Sequence, residues 1–165
     1  MATPTTLPAS FTAGQVLTAT QMNDLRGAFR VLQVVYGASA TQTTNSSSTY
    51  ADTTLTASIT PSATSSKVLV IVNQTGCFKD TNNTSQNLRL LRDATSVVQF
   101  GGYGGHTATT AENGFGGVGT AFLDSPATVA ATTYKTQQAS QNNNAKVGCQ
   151  AASATSTIVL MEISA

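Results

Sequence analysis

From residue 31 onward, apolar residues come in short runs separated by stretches of Ser, Thr, Asn and Gly. Where they alternate with polar residues, a period of two places successive side chains on opposite faces of a pleated strand. Residues 31–36 form a short apolar run. Leu55, Ala57 and Ile59 alternate with Thr and Ser until Pro61 closes the strand. Residues 67–72 are continuously apolar after Lys67, which suits a central strand. Residues 88–91 and 97–100 flank Arg92-Asp93-Ala94-Thr95, whose composition fits a hairpin turn. Residues 117–123, 128–138, 145–150 and 158–163 supply further strands. About eight or nine short strands between polar turns predict an all-β, jelly-roll or sandwich-like domain over residues 31–165. Ser62-Ala63-Thr64-Ser65 and Ser153-Ala154-Thr155-Ser156 each lead into such a strand. Shared turn chemistry accounts for the echo without a repeat fold.

The pattern before residue 31 is different. Residues 1–16 read as an extended polar arm punctuated by Pro4, Pro8 and Gly14. Thr18 and Gln21 then form a capping box, and Leu17 with Met22 has the spacing of a hydrophobic staple. Met22, Leu25 and Phe29 continue as one apolar stripe that ends near Arg30. A helix of about three turns does not persist alone in water. It must dock, either on its own β-domain or in a seam where copies meet. Residues 1–30 are therefore expected to be an anchoring and oligomerisation segment, with Leu17, Met22, Leu25 and Phe29 as its contacts.

Composition sharpens this picture. Charged residues make up 9% of the 165, and eight Lys and Arg nearly cancel seven Asp and Glu. Such a chain offers no basic field for nucleic acid. Ser and Thr number 16 and 29, while Leu, Ile, Val and Phe total 34. A thin apolar content with net charge of only +1 points to apolar area supplied by neighbouring copies, not to disorder. The first ten residues lack the basic and apolar regions of a secretory signal, and no apolar run reaches the roughly 18 residues of a membrane span. Cys77 and Cys149 lie in apolar strand-like stretches and read as buried thiols, the usual state in a reducing cytosol. The glycosylation patterns at Asn73 and Asn83 carry no weight without a signal.

The residues that could carry chemistry do not converge. His106 is the single histidine, in Gly101-Gly102-Tyr103-Gly104-Gly105-His106, and no Gly-x-Ser-x-Gly elbow accompanies it. Gly114-Phe115-Gly116-Gly117-Val118-Gly119 spells a dinucleotide fingerprint, but strand rather than helix is expected after it. Asp80-Thr81-Asn82-Asn83 lacks the downstream Glu of a calcium loop and reads as an Asx-rich turn. The acids are scattered singly, so no carboxylate pair suggests glycoside hydrolysis. We expect no enzyme activity, no cofactor and no metal. Three stretches, 79–86, 101–114 and 140–144, read as neutral amide- and glycine-rich loops. Tyr103, His106 and Phe115 mark a candidate partner-binding loop.

The segment from Phe11-Thr12-Ala13-Gly14-Gln15 through Val16-Leu17-Thr18-Ala19-Thr20 to Gln21-Met22-Asn23 resembles the N-terminal motif of bacteriophage tail, fibre and other virion appendage proteins. The distal part is similar to phage fibre and knob domains. Ile59-Thr60-Pro61, Lys67-Val68-Leu69-Val70 and Leu88-Arg89-Leu90-Leu91-Arg92-Asp93 carry that similarity, with Thr133-Tyr134-Lys135-Thr136-Gln137 and Ser156-Thr157-Ile158-Val159-Leu160-Met161-Glu162-Ile163. The resemblance implies a homotrimeric virion protein assembled in the host cytoplasm, with an N-terminal anchor and a distal β-domain. Its implied partners are itself, other tail or capsid proteins, and a host surface glycan or receptor. The near-direct passage from helix to strands departs from long fibres and leaves room for capsid decoration. A free carbohydrate-binding module is the alternative from another class.

Overall fold

A computed structural model of the chain describes Gly14, Val16, Thr18, Ala19, Met22 and residues 31–164. Among these, ten strands form: β1 (Val31–Ser39), β2 (Thr43–Asn45), β3 (Ala51–Ile59), β4 (Lys67–Asp80), β5 (Thr84–Arg92), β6 (Thr95–Thr107), β7 (Glu112–Asp124), β8 (Thr132–Ser140), β9 (Val147–Cys149) and β10 (Ser156–Ile163). The predicted all-β sandwich is what the chain adopts, as two antiparallel sheets. One sheet contains β1, β10, β4 and β7, with β9 and β2 continuing beside the far half of β4. The other has the order β3-β8-β5-β6.

The pairing is nested. β5 pairs with β6, β4 with β7, β3 with β8, β2 with β9 and β1 with β10, each antiparallel. The chain is thus one long hairpin, centred on the β5–β6 turn and rolled into two layers. Such nested antiparallel pairing is the pattern of a jelly roll.

Several boundaries differ from the sequence reading, for identifiable reasons. β4 runs well beyond residue 72, because its polar continuation stays paired with β7. It bends at Gly76, whose φ is +58° and whose added Cβ would lie 2.5 Å from the Ala151 nitrogen. Only glycine fits that bend. β8 starts at Thr132 and not at 128, after Pro126 and an Ala127 with positive φ. β2 was not anticipated, since three polar residues carry no apolar signal. It is fixed by pairing with β9 and by Asn45 Nδ2, which donates to the Thr49 and Gln138 carbonyls.

The stretch 101–114, expected to be a loop, is also corrected. Residues up to Thr107 belong to β6 and residues from Glu112 to β7. Glycine contributes no side-chain period, so the sequence pattern was blind to this extension. Of the expected N-terminal helix, the Met22 amide donates to the Thr18 carbonyl at 3.0 Å, the i to i−4 bond of a first turn. Leu17, Leu25 and Phe29 lie outside the described residues.

The interior has two characters. At one end Leu55, Ile59, Val68, Val70, Val72, Leu90, Tyr134, Ile158 and Leu160 form a dry apolar cluster. Toward the other end the space between the sheets is filled by amides and hydroxyls. Thr136 donates to Gln74 Oε1 at 2.8 Å, Gln74 Nε2 to Ser156 at 3.1 Å, and Gln86 Nε2 to Gln138 Oε1 at 2.8 Å. Buried polar groups that satisfy one another cost little and hold a single geometry. The small clustered remainder, Cys77, Leu88 and Cys149, packs beneath Phe100 and Phe115.

Candidate functional site

Three surfaces could carry function: the glycine-rich β6–β7 connection, which passes from one sheet to the other, and the outward face of each sheet. On β6, Tyr103 adopts φ +60° and its amide donates to Asn87 Oδ1 at 3.3 Å. That turn brings its ring onto His106, with centroids 4.2 Å apart and planes 16° from parallel. Tyr103 is 58% exposed, so the stack stands at the surface. Phe115 is positioned differently. A Cβ on Gly105 would sit 2.3 Å from its ring, so the ring lies flat against glycine backbone and packs into the second core cluster. Of the three residues singled out by sequence, two are brought together outside. Phe115 anchors them from below.

The glycine fingerprint and the Asx-rich turn take forms other than a phosphate or calcium loop. The Gly114–Gly119 fingerprint lies wholly within strand β7, so no helix N-terminus receives a phosphate. Asp80-Thr81-Asn82-Asn83 is a tight turn in which Lys79 Nζ donates to the carbonyls of Thr81, Thr110 and Ala111 at 3.0, 2.6 and 3.1 Å. The Lys79 ammonium thus sits among the carbonyls beside this turn. Among the described residues no group of three or more His, Cys, Asp or Glu could hold a metal ion. No helix among them is long and apolar enough to cross a membrane.

The two sheet faces contrast sharply. On the outside of the second sheet, Arg89 donates twice to Gln137, Gln137 and Lys135 both donate to Asp52, and the Arg89 guanidinium lies 4.0 Å over the Tyr50 ring. That face is polar and already satisfied by its own contacts.

The outside of the first sheet is apolar. Residues paired directly across an antiparallel ladder share a face. Register therefore aligns Val34, Met161, Leu69 and Leu123 in one row across β1, β10, β4 and β7. It aligns Tyr36, Val159, Ile71 and Ala121 in the next. Tyr36, Val34 and Leu123 are 64%, 58% and 57% exposed. Lys67, which bonds Ser125 at one end, is the charge that register adds to this face.

No protein-family model matches this chain, and no curated protein matches it.

The sequence reading missed these rows as a site, although it found the strands that bear them. A signal was available. Residues 34–36 and 68–72 are apolar at consecutive positions, the pattern of strands covered on both faces. A two-layer sandwich covers one face only. The outward half of each run is left for something else.

Proposed function

We propose that this chain is a non-enzymatic structural protein of a bacteriophage particle, a homotrimer of the tail-fibre or attachment type. The observation that carries the reading is the two-row apolar face on the first sheet, opposite a polar face on the second. A surface of that kind marks a protein contact. Its β1 edge follows directly on residues 1–30, whose Phe11–Asn23 motif resembles virion appendage proteins. A rigid rolled hairpin with scattered acids and one histidine stacked on tyrosine suits a building block. Imaging intact particles with an antibody to this chain tests the reading. Label on the tail, together with purified protein that adsorbs to host cells and blocks infection, is expected. Particles without label would defeat it.

A second reading, capsid decoration, is favoured by one feature. β1 begins at Val31, so no shaft of repeats separates the N-terminal segment from the sandwich. Label over the capsid, with purified protein that binds expanded shells and ignores cells, would select this reading.

A further inference from the structure

We infer that the outer face of β1, β10, β4 and β7 is covered by a second copy of this chain, with Val34, Tyr36, Leu69 and Leu123 at the centre of the contact. The inference rests on the homo-oligomeric reading above and names the surface and partner that reading leaves open.

Four observations select a second copy as the occupant. The first is apolar exposure. Val34, Tyr36 and Leu123 stand more than half exposed on one face, beside the partly covered Met161, Leu69 and Val159, and a contiguous apolar face of that kind marks a protein contact. The second is charge. Across the two rows there is no ionisable carboxylate or amine, so one copy meets another without like-charge repulsion. A partner of opposite charge would find nothing to grip.

The third is that the described apolar residues of the N-terminal segment are themselves open to solvent. Val16 and Met22 are themselves 86% and 49% exposed. The fourth is continuity. That segment carries the stripe Met22, Leu25 and Phe29 and joins β1 at Val31, the strand bearing Val34 and Tyr36.

Sedimentation velocity of the full chain over a wide dilution range tests this, comparing wild type with Val34→Lys, Leu123→Lys and a control, Thr54→Lys, on the opposite sheet. The wild type is expected to sediment as an oligomer. Both face variants should dissociate, with assembly weakened about a hundredfold or more, because each places an unpaired ammonium in an apolar contact. Thr54→Lys should behave as wild type. If the face variants stay assembled and Phe29→Lys comes apart, the face assignment is overturned while the oligomeric reading stands. A wild type that is monomeric throughout overturns both. Hydroxyl-radical footprinting of the unmutated protein does not depend on variants folding. Tyr36 and Met161 should gain protection on assembly, while Tyr50 and Tyr103 stay labelled. Equal labelling of Tyr36 in monomer and oligomer overturns the assignment, as does protection that appears only on the particle.

Discussion

Tyr134 donates its buried hydroxyl to Asp124 at 2.7 Å, and the same carboxylate accepts from Arg92 at 2.9 Å through both oxygens. β8, β7 and β5 are thereby tied together at one end of the sandwich, across both sheets. Burial and the adjoining carboxylate push the Tyr134 hydroxyl well above the ordinary phenol range. Tyr134→Phe keeps the ring in the apolar cluster and removes one donor from a charged acceptor. It should cost about 1–2 kcal/mol in urea unfolding, with an unchanged m-value. A variant as stable as wild type would show that the Arg92 pair alone satisfies Asp124.

Glu162 holds the matching position on β10. Its carboxylate accepts from the Ser62 amide and hydroxyl at 2.7 and 2.6 Å, from Ser66 at 2.7 Å and from Gln33 at 2.6 Å. Burial alone would raise its pKa, but the hydrogen bonds from Ser62, Gln33 and Ser66 outweigh it and bring it down to about 2. The unfolded chain has the ordinary value of about 4.3, so between these two values the unfolded state binds the proton more tightly. The stabilisation is therefore complete above about pH 4.5 and is lost as pH falls toward 2, a change of order 2 kcal/mol. Thermal midpoints measured across that window should fall for wild type and fall less for Glu162→Gln. Parallel curves would assign the acid sensitivity elsewhere.

These two carboxylates show where sequence reading stopped. Alternation made Leu55 and Ile59 legible as half-buried, strand-like runs held Val70, Leu90 and Ile158, and Asp93 with φ +53° sits in the hairpin turn that its neighbours announced. Alternation says nothing about polar residues that point inward. Gln74, Gln86 and Gln138 are buried because register gives each a partner from a distant strand, and Lys79 because the loop carbonyls of Thr110 and Ala111 receive its ammonium. No local pattern contains that partner. The same network qualifies the argument from thin apolar content, since amides and hydroxyls complete part of the interior. It is the outer rows of β1, β10, β4 and β7 that favour contact between copies.

Cys77 and Cys149 meet in the second core cluster, both buried. Contact with Cys77 and burial together push the Cys149 thiol up, away from the reactive thiolate. In native buffer a thiol reagent such as Ellman's should label neither residue on the timescale of a free thiol, and both should react once the protein is denatured. Prompt labelling of the native protein would mean that β9 opens locally.

Gly105 has φ +67° and lies under the Phe115 ring. Gly105→Ala combines a strained backbone with a clash and should cost about 1–3 kcal/mol. Because the ring must shift, the Tyr103–His106 stack should loosen as well, and the ring-current shifts of the His106 protons should change. A destabilised variant that retains those shifts would separate the stack from its Phe115 support.

The stack itself separates fold from recognition. Tyr103 is largely exposed and its ring contact is with His106, so Tyr103→Ala should change stability by no more than about 0.5 kcal/mol. It also lies on the strand layer opposite the apolar rows, so assembly should be unaffected. An exposed aromatic stacked on imidazole, among glycines that keep the surface open, is suited to packing against a sugar ring or an apolar partner group. On the attachment reading, the variant should keep its melting point and sedimentation while losing adsorption to host cells. Full adsorption by the assembled variant would remove this stack from host recognition and shift weight to decoration of the capsid.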